Sequence, residues 1–166
     1  KGQWNKELEA EMLAALVALR KTINRHKVKH AVSFHGTVAR AAAFSKSQEA
    51  FTKSFPEYGR LDTFHVSGKT PTAVRSREIE DFAESKRALI TNARCLTEGV
   101  DVPGIDCVLF ADPKRSTVDI VQAVGRALRR AEGKKLGYVI VPILLDNEIQ
   151  KEEDLEGSAF ETILTV

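Results

Sequence analysis

Five short apolar runs alternate with helical patterns along this chain, and that alternation limits the folds open to it. Val28 to Phe34, Leu61 to Val66, Arg87 to Thr91, Cys107 to Ala111 and Tyr138 to Ile143 read as strands. Between and before them lie helices. Trp4, Leu8, Met12, Leu16, Leu19 and Ile23 recur at helical steps, and this stripe is expected to be core or a docking surface. Thr37 is placed to cap a helix over about Val38 to Ser54, ended by Phe55-Pro56. Thr70-Pro71 opens a third helix through about Ala83, and Ser116 caps the one that contains Gln122. Strands separated by helices pair side by side in one direction, so the expected fold is α/β, a parallel sheet with helices on both faces in three layers. Ligands of such sheets gather at the carboxyl ends of the strands. The loops to watch are therefore 35–37, 67–70, 92–101 and 112–116.

Composition narrows the function classes. The chain has 166 residues, enough for one domain with a sizeable core. A net charge of +2 makes it no polycation, so any nucleic-acid role needs a local basic face. Cys95 and Cys107 lack metal-ligand spacing and the histidines are scattered, so no metal site is expected. No apolar run is long enough to span a bilayer and no secretory leader is legible, so the expectation is a cytoplasmic protein with no membrane partner. The chain opens in mid-helix without an initiator Met. Ser158-Ala-Phe-Glu161 reads as a capping box with too few residues after it to complete a helix. We expect an excised domain: a docking or linker helix over 1–26, the domain proper over 27–145, and an extension over 146–166.

The most informative stretch is Gln122-Ala-Val-Gly-Arg-Ala-Leu-Arg129-Arg130. On a helix Gln122, Gly125, Arg126 and Arg129 fall at i, i+3, i+4 and i+7 and share one stripe. Val121, Val124 and Leu128 form a neighbouring apolar stripe, expected to hold the helix on the core. Gly125 leaves room for a close approach to the backbone. Two permanently charged guanidinium forks suit phosphate oxygens. The plainer reading is a solvated basic helix end, because cations favour the last turn.

Two other stretches bear on phosphate chemistry. Gly68-Lys69-Thr70 resembles the end of a P-loop, but its first glycine would have to stand at Thr63. The cradle is missing, and a polar turn touching a nucleic-acid backbone is the better reading. No acidic magnesium-binding pair follows a strand either. Thr91-Asn-Ala-Arg-Cys-Leu-Thr-Glu-Gly-Val-Asp101-Val-Pro103 leaves a strand and carries amides and hydroxyls suited to a phosphodiester chain. Asp101 could accept from a ribose hydroxyl. An ordinary crossover loop turning at Val102-Pro-Gly104 is the alternative.

Taken in order, Thr91 to Asp101, the strand Cys107 to Ala111, Asp112-Pro113 and Gln122-x-x-Gly-Arg-x-x-Arg129 closely resemble the second motor domain of superfamily 2 helicases, over about Val28 to Ile143. In that family these stretches are motifs V and VI, the fold is RecA-like, and ATP with Mg2+ binds between two such domains. The resemblance implies that Arg129 is the arginine finger reaching a γ-phosphate held mainly by the N-terminal RecA-like domain of the same parent chain. Arg126 is its companion, and Gln122 a polar contact near the γ-phosphate or the attacking water. Gly99, Asp101 and Gly125 fall on the nucleotide side. Thr91, Thr97, His35, Gly36, Ser67 and Gly68 fall where the family contacts nucleic acid, with Phe34-His35-Gly36 in the place of motif IV. Leu96-Thr-Glu-Gly-Val-Asp-Val-Pro103, with Thr91 set further from Gly99 than in DEAD-box RNA helicases, looks more like restriction-enzyme and DNA-repair translocases. That implies duplex DNA rather than RNA. The expected function is therefore the C-terminal motor domain of a DNA-dependent ATPase, inactive alone because the P-loop and acidic motif are elsewhere. An RNA helicase domain, or a nucleic-acid-binding scaffold that kept the fold and lost the motor, is the alternative.

Overall fold

Parallel strands need a crossover between each pair. A computed structural model describes residues 2–93, 104–112, 120–122, 124–125 and 136–142, with backbone alone at 2–9 and 93. The elements are α1 (Gly2–His26), β1 (His30–Phe34), α2 (Val38–Ser54), β2 (Asp62–Ser67), α3 (Thr72–Glu84), β3 (Ala88–Ala93), β4 (Cys107–Phe110) and β5 (Tyr138–Ile140). A 3-10 turn, Pro56–Tyr58, follows α2. Residues 120–122 and 124–125 are helical. The expected Ser116 cap and the 146–166 extension lie outside the described residues.

The strands form one parallel sheet in the order β2-β3-β1-β4-β5. Alternate side chains leave opposite faces. Val32, Phe34, Ile90, Val108 and Phe110 turn to one face, where Phe82 of α3 and Ile120 cover them. Ala31, Leu89, Cys107 and Leu109 turn to the other, beneath Leu16, Leu19 and Ile23 of α1 and Phe44 and Phe51 of α2. Cys107 is a buried thiol, pushed up to about 12 by burial and then by Asp106, and so unreactive.

Local chemistry sets the helix ends. The Thr37 side chain accepts from the Arg40 amide and caps α2, as the sequence predicts. α1 ends in a left-handed residue, Lys27 at φ 54°, and the Val28 amide donates to the Ile23 carbonyl at 3.1 Å. That is a Schellman closure, with Val28 and Ile23 in hydrophobic contact, but with lysine where glycine is usual. α3 begins at Thr72 rather than at Thr70-Pro71. The reason is that the Thr70 hydroxyl turns back to accept from the Ser67 amide at 3.0 Å, so Ser67 to Thr70 closes as a turn before the helix starts.

One buried group has no counterpart in the sequence pattern. Arg20 on α1 is fully buried and donates to the Gly59 carbonyl at 3.2 Å, the Gln48 carbonyl and the Thr52 hydroxyl, lying over the Phe51 ring. Burial, then the charge of Arg87, lowers its pKa to about 10, which leaves it cationic at neutral pH. It ties α1 to α2 and to the turn after it. Among the described residues no helix is long and apolar enough to cross a membrane.

Thr37→Ala removes a cap and should cost about 1 kcal/mol, read as a lower urea midpoint at unchanged slope. An unchanged midpoint would show that the cap contributes nothing.

Candidate functional site

The carboxyl ends of β1, β2 and β3 bring five sequence-predicted residues to one edge of the sheet: His35 and Gly36 after β1, Ser67 and Gly68 at β2, and Thr91 on β3. Here the apolar interior gives way to polar groups. Ser33, Thr91 and His65 are side by side in register across three adjacent strands. The Thr91 hydroxyl donates to the Phe64 carbonyl at 3.3 Å and meets His65 Nδ1 at 2.9 Å. His35 Nε2 and Ser33 Oγ share a hydrogen bond of 2.9 Å.

The organising group of this edge is Asp112, which the sequence marks only as part of Asp112-Pro113. It follows β4 and reaches across to the loop after β1. Its Oδ2 accepts the Gly36 amide at 2.7 Å and its Oδ1 pairs with Arg40 in the first turn of α2. Arg40 also pairs with Glu11 of α1 at 3.6 Å. One carboxylate thus fastens the start of α2 to the end of β4, the point from which the chain leaves toward the Gln122 helix. Such a charge-assisted cluster holds a loop better than neutral bonds do.

His35 sits behind this clamp, 3.9 Å from Asp112 through Nδ1 and packed on Phe44. Burial pushes its pKa down to about 3, and the charges of Arg40 and His65 push the same way. Burial also lowers His65, against the opposing effects of Glu78 and the hydrogen bond to Thr91. At neutral pH both rings are neutral, so this row orients the loop and offers no charge to a phosphate.

The sequence-predicted positions differ in what they present. Gly36 and Gly68 are exposed, whereas the His35 ring, Ser67 and Thr91 are buried, with Thr91 at 0% exposure. Above Gly68 an added Cβ meets nothing, and above Gly36 it meets only Asp112, at 3.6 Å. Backbone groups, not the Thr91 hydroxyl, face outward here. Ser67 is occupied in its own turn, with its Oγ accepting from the Lys69 amide at 3.3 Å.

On the other side of the edge, Ile120 is buried and Val124 packs against the same core, while Gln122 and Gly125 are exposed. The expected apolar stripe is corrected in one place: Val121 is 52% exposed, and Ile120 takes its inward role. Ile120 and Val124 are one turn apart, and Val121 is rotated about 100° from Ile120. Among the described residues nothing lies above Gly125. Arg126, Arg129, Gly99, Asp101 and Thr97 lie outside the described residues.

The neutral His35 has a pH consequence. Below pH 6.5 the unfolded chain takes up a proton on this ring and the folded chain does not until about pH 3. Stability is therefore lost as pH falls through that window, by at most about 1.4 kcal/mol per unit. His35→Asn should flatten the decline of the urea midpoint between about pH 7 and 4. Parallel curves for the two proteins would refute this.

Comparison with known proteins gives the family. The helicase conserved C-terminal domain family matches residues 12–131. A Saccharomyces cerevisiae protein that carries the name ATP-dependent helicase IRC3 is 30% identical over 92 residues, 55% of this chain and 13% of its own. The ATP-dependent Type ISP restriction-modification enzyme LlaBIII, solved bound to DNA, superposes with a TM-score of 0.72 at 30% identity, over 94% of this chain and 11% of that one. Domain 2 of the DEAD-box helicase Mss116p, solved bound to an RNA duplex, superposes at 0.63 and 19% identity, over 81% of this chain and 50% of that one, which speaks to the fold alone. This chain thus spans only about an eighth of the yeast relative. Its parallel sheet is RecA-like, and with the family matched over well more than half its length, the chain belongs to the helicase conserved C-terminal domains of superfamily 2.

Proposed function

We propose that this domain is the second motor half of a DNA-dependent ATPase, a helicase or translocase related to restriction or repair. The observation that carries the reading is the outward face of residues 120–122 and 124–125. Ile120 and Val124 anchor it, while Gln122 and Gly125 are exposed, with open space over the glycine. This face can receive another body closely and offers an amide to it. By the helical spacing of the sequence, Arg126 and Arg129 belong to that same stripe, while Gly99 and Asp101 belong to the stretch that precedes β4.

The exposed groups fit a triphosphate held by a partner RecA-like domain. ATP with Mg2+ would supply the phosphoanhydride whose cleavage drives movement. Arg129 would neutralise charge on the equatorial oxygens, Arg126 would brace it, and Gln122 would orient water or the γ-phosphate. Because these groups arrive from a second domain, a displacement of a few ångströms would remove them and couple closure to turnover. The exposed backbone at Gly36 and Gly68 leaves room for a nucleic-acid backbone to come close, with Asp112, which holds the Gly36 amide, and the Thr91–His65 pair keeping those loops in place. Thr97 would join them. The likeness to a DNA-bound restriction enzyme at 30% identity favours DNA over RNA.

In the full-length protein, Arg129→Ala should lower DNA-stimulated ATP hydrolysis by about 10³-fold or more and leave DNA binding intact. Turnover at the wild-type rate would refute the finger role. Greater stimulation by RNA than by duplex DNA would instead favour an RNA helicase. Gly36→Ala and Gly68→Ala, which the fold accommodates, should weaken DNA binding severalfold if a phosphodiester chain comes close to these two loops, because a methyl group would intrude there. Undiminished affinity in both would remove the two loops from the contact surface.

A further inference from the structure

The amino edge of the sheet, opposite the loops just described, carries a groove that neither motif uses. It has a volume of about 660 Å³ and lies between the end of α1, the 3-10 turn after α2 and the start of β3. Five cations line it, Lys27, Lys29, Arg60, Lys86 and Arg87, against two carboxylates, Glu57 and Asp62. Arg60 is paired with Asp62 at 2.8 Å. The ion pairs among the described residues leave the ammonium groups of Lys27, Lys29 and Lys86 without a carboxylate, and all three residues are exposed.

The floor is built rather than incidental. Arg87 donates to the Arg60 carbonyl at 3.1 Å, to Asn24 Oδ1 at 3.0 Å and to the Tyr58 carbonyl at 3.4 Å. Gly59 holds a left-handed φ of 73°, and any Cβ there would fall 2.5 Å from the Arg87 guanidinium. Buried Arg20 lies just behind, on the Gly59 carbonyl. Lys27 adds a second sign. It occupies the left-handed helix-closing position where glycine would be less strained, at a cost tolerated for a side chain that does something else.

The cations also follow the sheet edge. His30, Ala88 and Asp62 are in register on adjacent strands, and Lys29, Lys86 and Arg60 come one or two residues ahead of them, at three neighbouring strand starts. Cations gathered from neighbouring strands along one edge suit a polymer that carries a run of anions. The groove lies about 17 Å from the carboxyl edge, one strand length away, so it would hold a different segment of the same polymer.

We infer that this groove is a second nucleic-acid contact, taking the phosphodiester backbone without regard to sequence. The inference rests on the reading of the domain as part of a nucleic-acid motor. Lys27→Gly relieves the strained closure, so its urea midpoint should rise while its affinity for a short labelled DNA duplex falls severalfold. Lys27→Gly/Lys29→Gln/Lys86→Gln should bind that duplex about tenfold or more weakly, with a log–log salt slope shallower by about 2–3. In the wild-type chain, duplex DNA should protect these lysines from acetylation in mass-spectrometric footprinting, and poly-glutamate of equal charge should not. Equal protection by poly-glutamate would overturn the assignment in favour of an acidic polypeptide. Unchanged affinity and slope in the triple variant, with wild-type binding intact, would overturn the groove alone. A wild-type chain that binds neither DNA nor RNA would sink both this groove and the motor reading.

Discussion

β1 is paired along both edges and covered on both faces, and the rest of the domain is arranged around satisfying it. Its backbone bonds to β3 on one side and β4 on the other, and the pairing continues past its ends: the His35 amide donates to Asn92, and the Asp106 amide to His30. Ala31, Val32 and Phe34 are buried alternately toward the two helical layers. A strand so enclosed exposes no polar backbone to an apolar interior. Because its neighbours run parallel to it, each connection must cross a face of the sheet. The loops that follow the strands therefore collect at one edge and those that precede them at the other.

The two edges solve different electrostatic problems. At the carboxyl edge charge is consumed internally: Asp112 is met by Arg40 and the Gly36 amide, and both histidines are neutral by burial. What remains outward is backbone and open space, the kind of surface that lets another backbone approach closely. At the amino edge Arg87 is spent on carbonyls, but the lysines around it are left open to solvent. One face of the domain thus offers shape and the other offers charge.

Most of the architecture was legible in local pattern. Short apolar runs marked the strands, and Thr37 announced α2 as a hydroxyl placed to cap it. The misreadings came where a side chain chose a partner distant from its own pattern, or where two adjacent apolar residues competed for one face. Thr70 looked like a helix opener but closes a turn onto Ser67. Val121 and Ile120 were both apolar, and only the angle at which the helix meets the sheet assigned the inward place to Ile120. At Thr91, a contact candidate by its motif position, only the sheet shows that the hydroxyl is bonded to the Phe64 carbonyl and His65.

The sequence by itself determined the alternation of strand and helix, the parallel sheet it requires, and the family likeness carried by Gln122, Gly125 and the residues around them. Those features depend on spacing along the chain, which is local. The tertiary structure decided which groups are accessible. Asp112 meets Gly36 across 76 positions of sequence, Arg87 meets Asn24 across 63, and Arg20 meets Gly59 across 39. No periodicity encodes such meetings, because they follow from which strands lie side by side, and strand order is settled only when the whole sheet closes around β1.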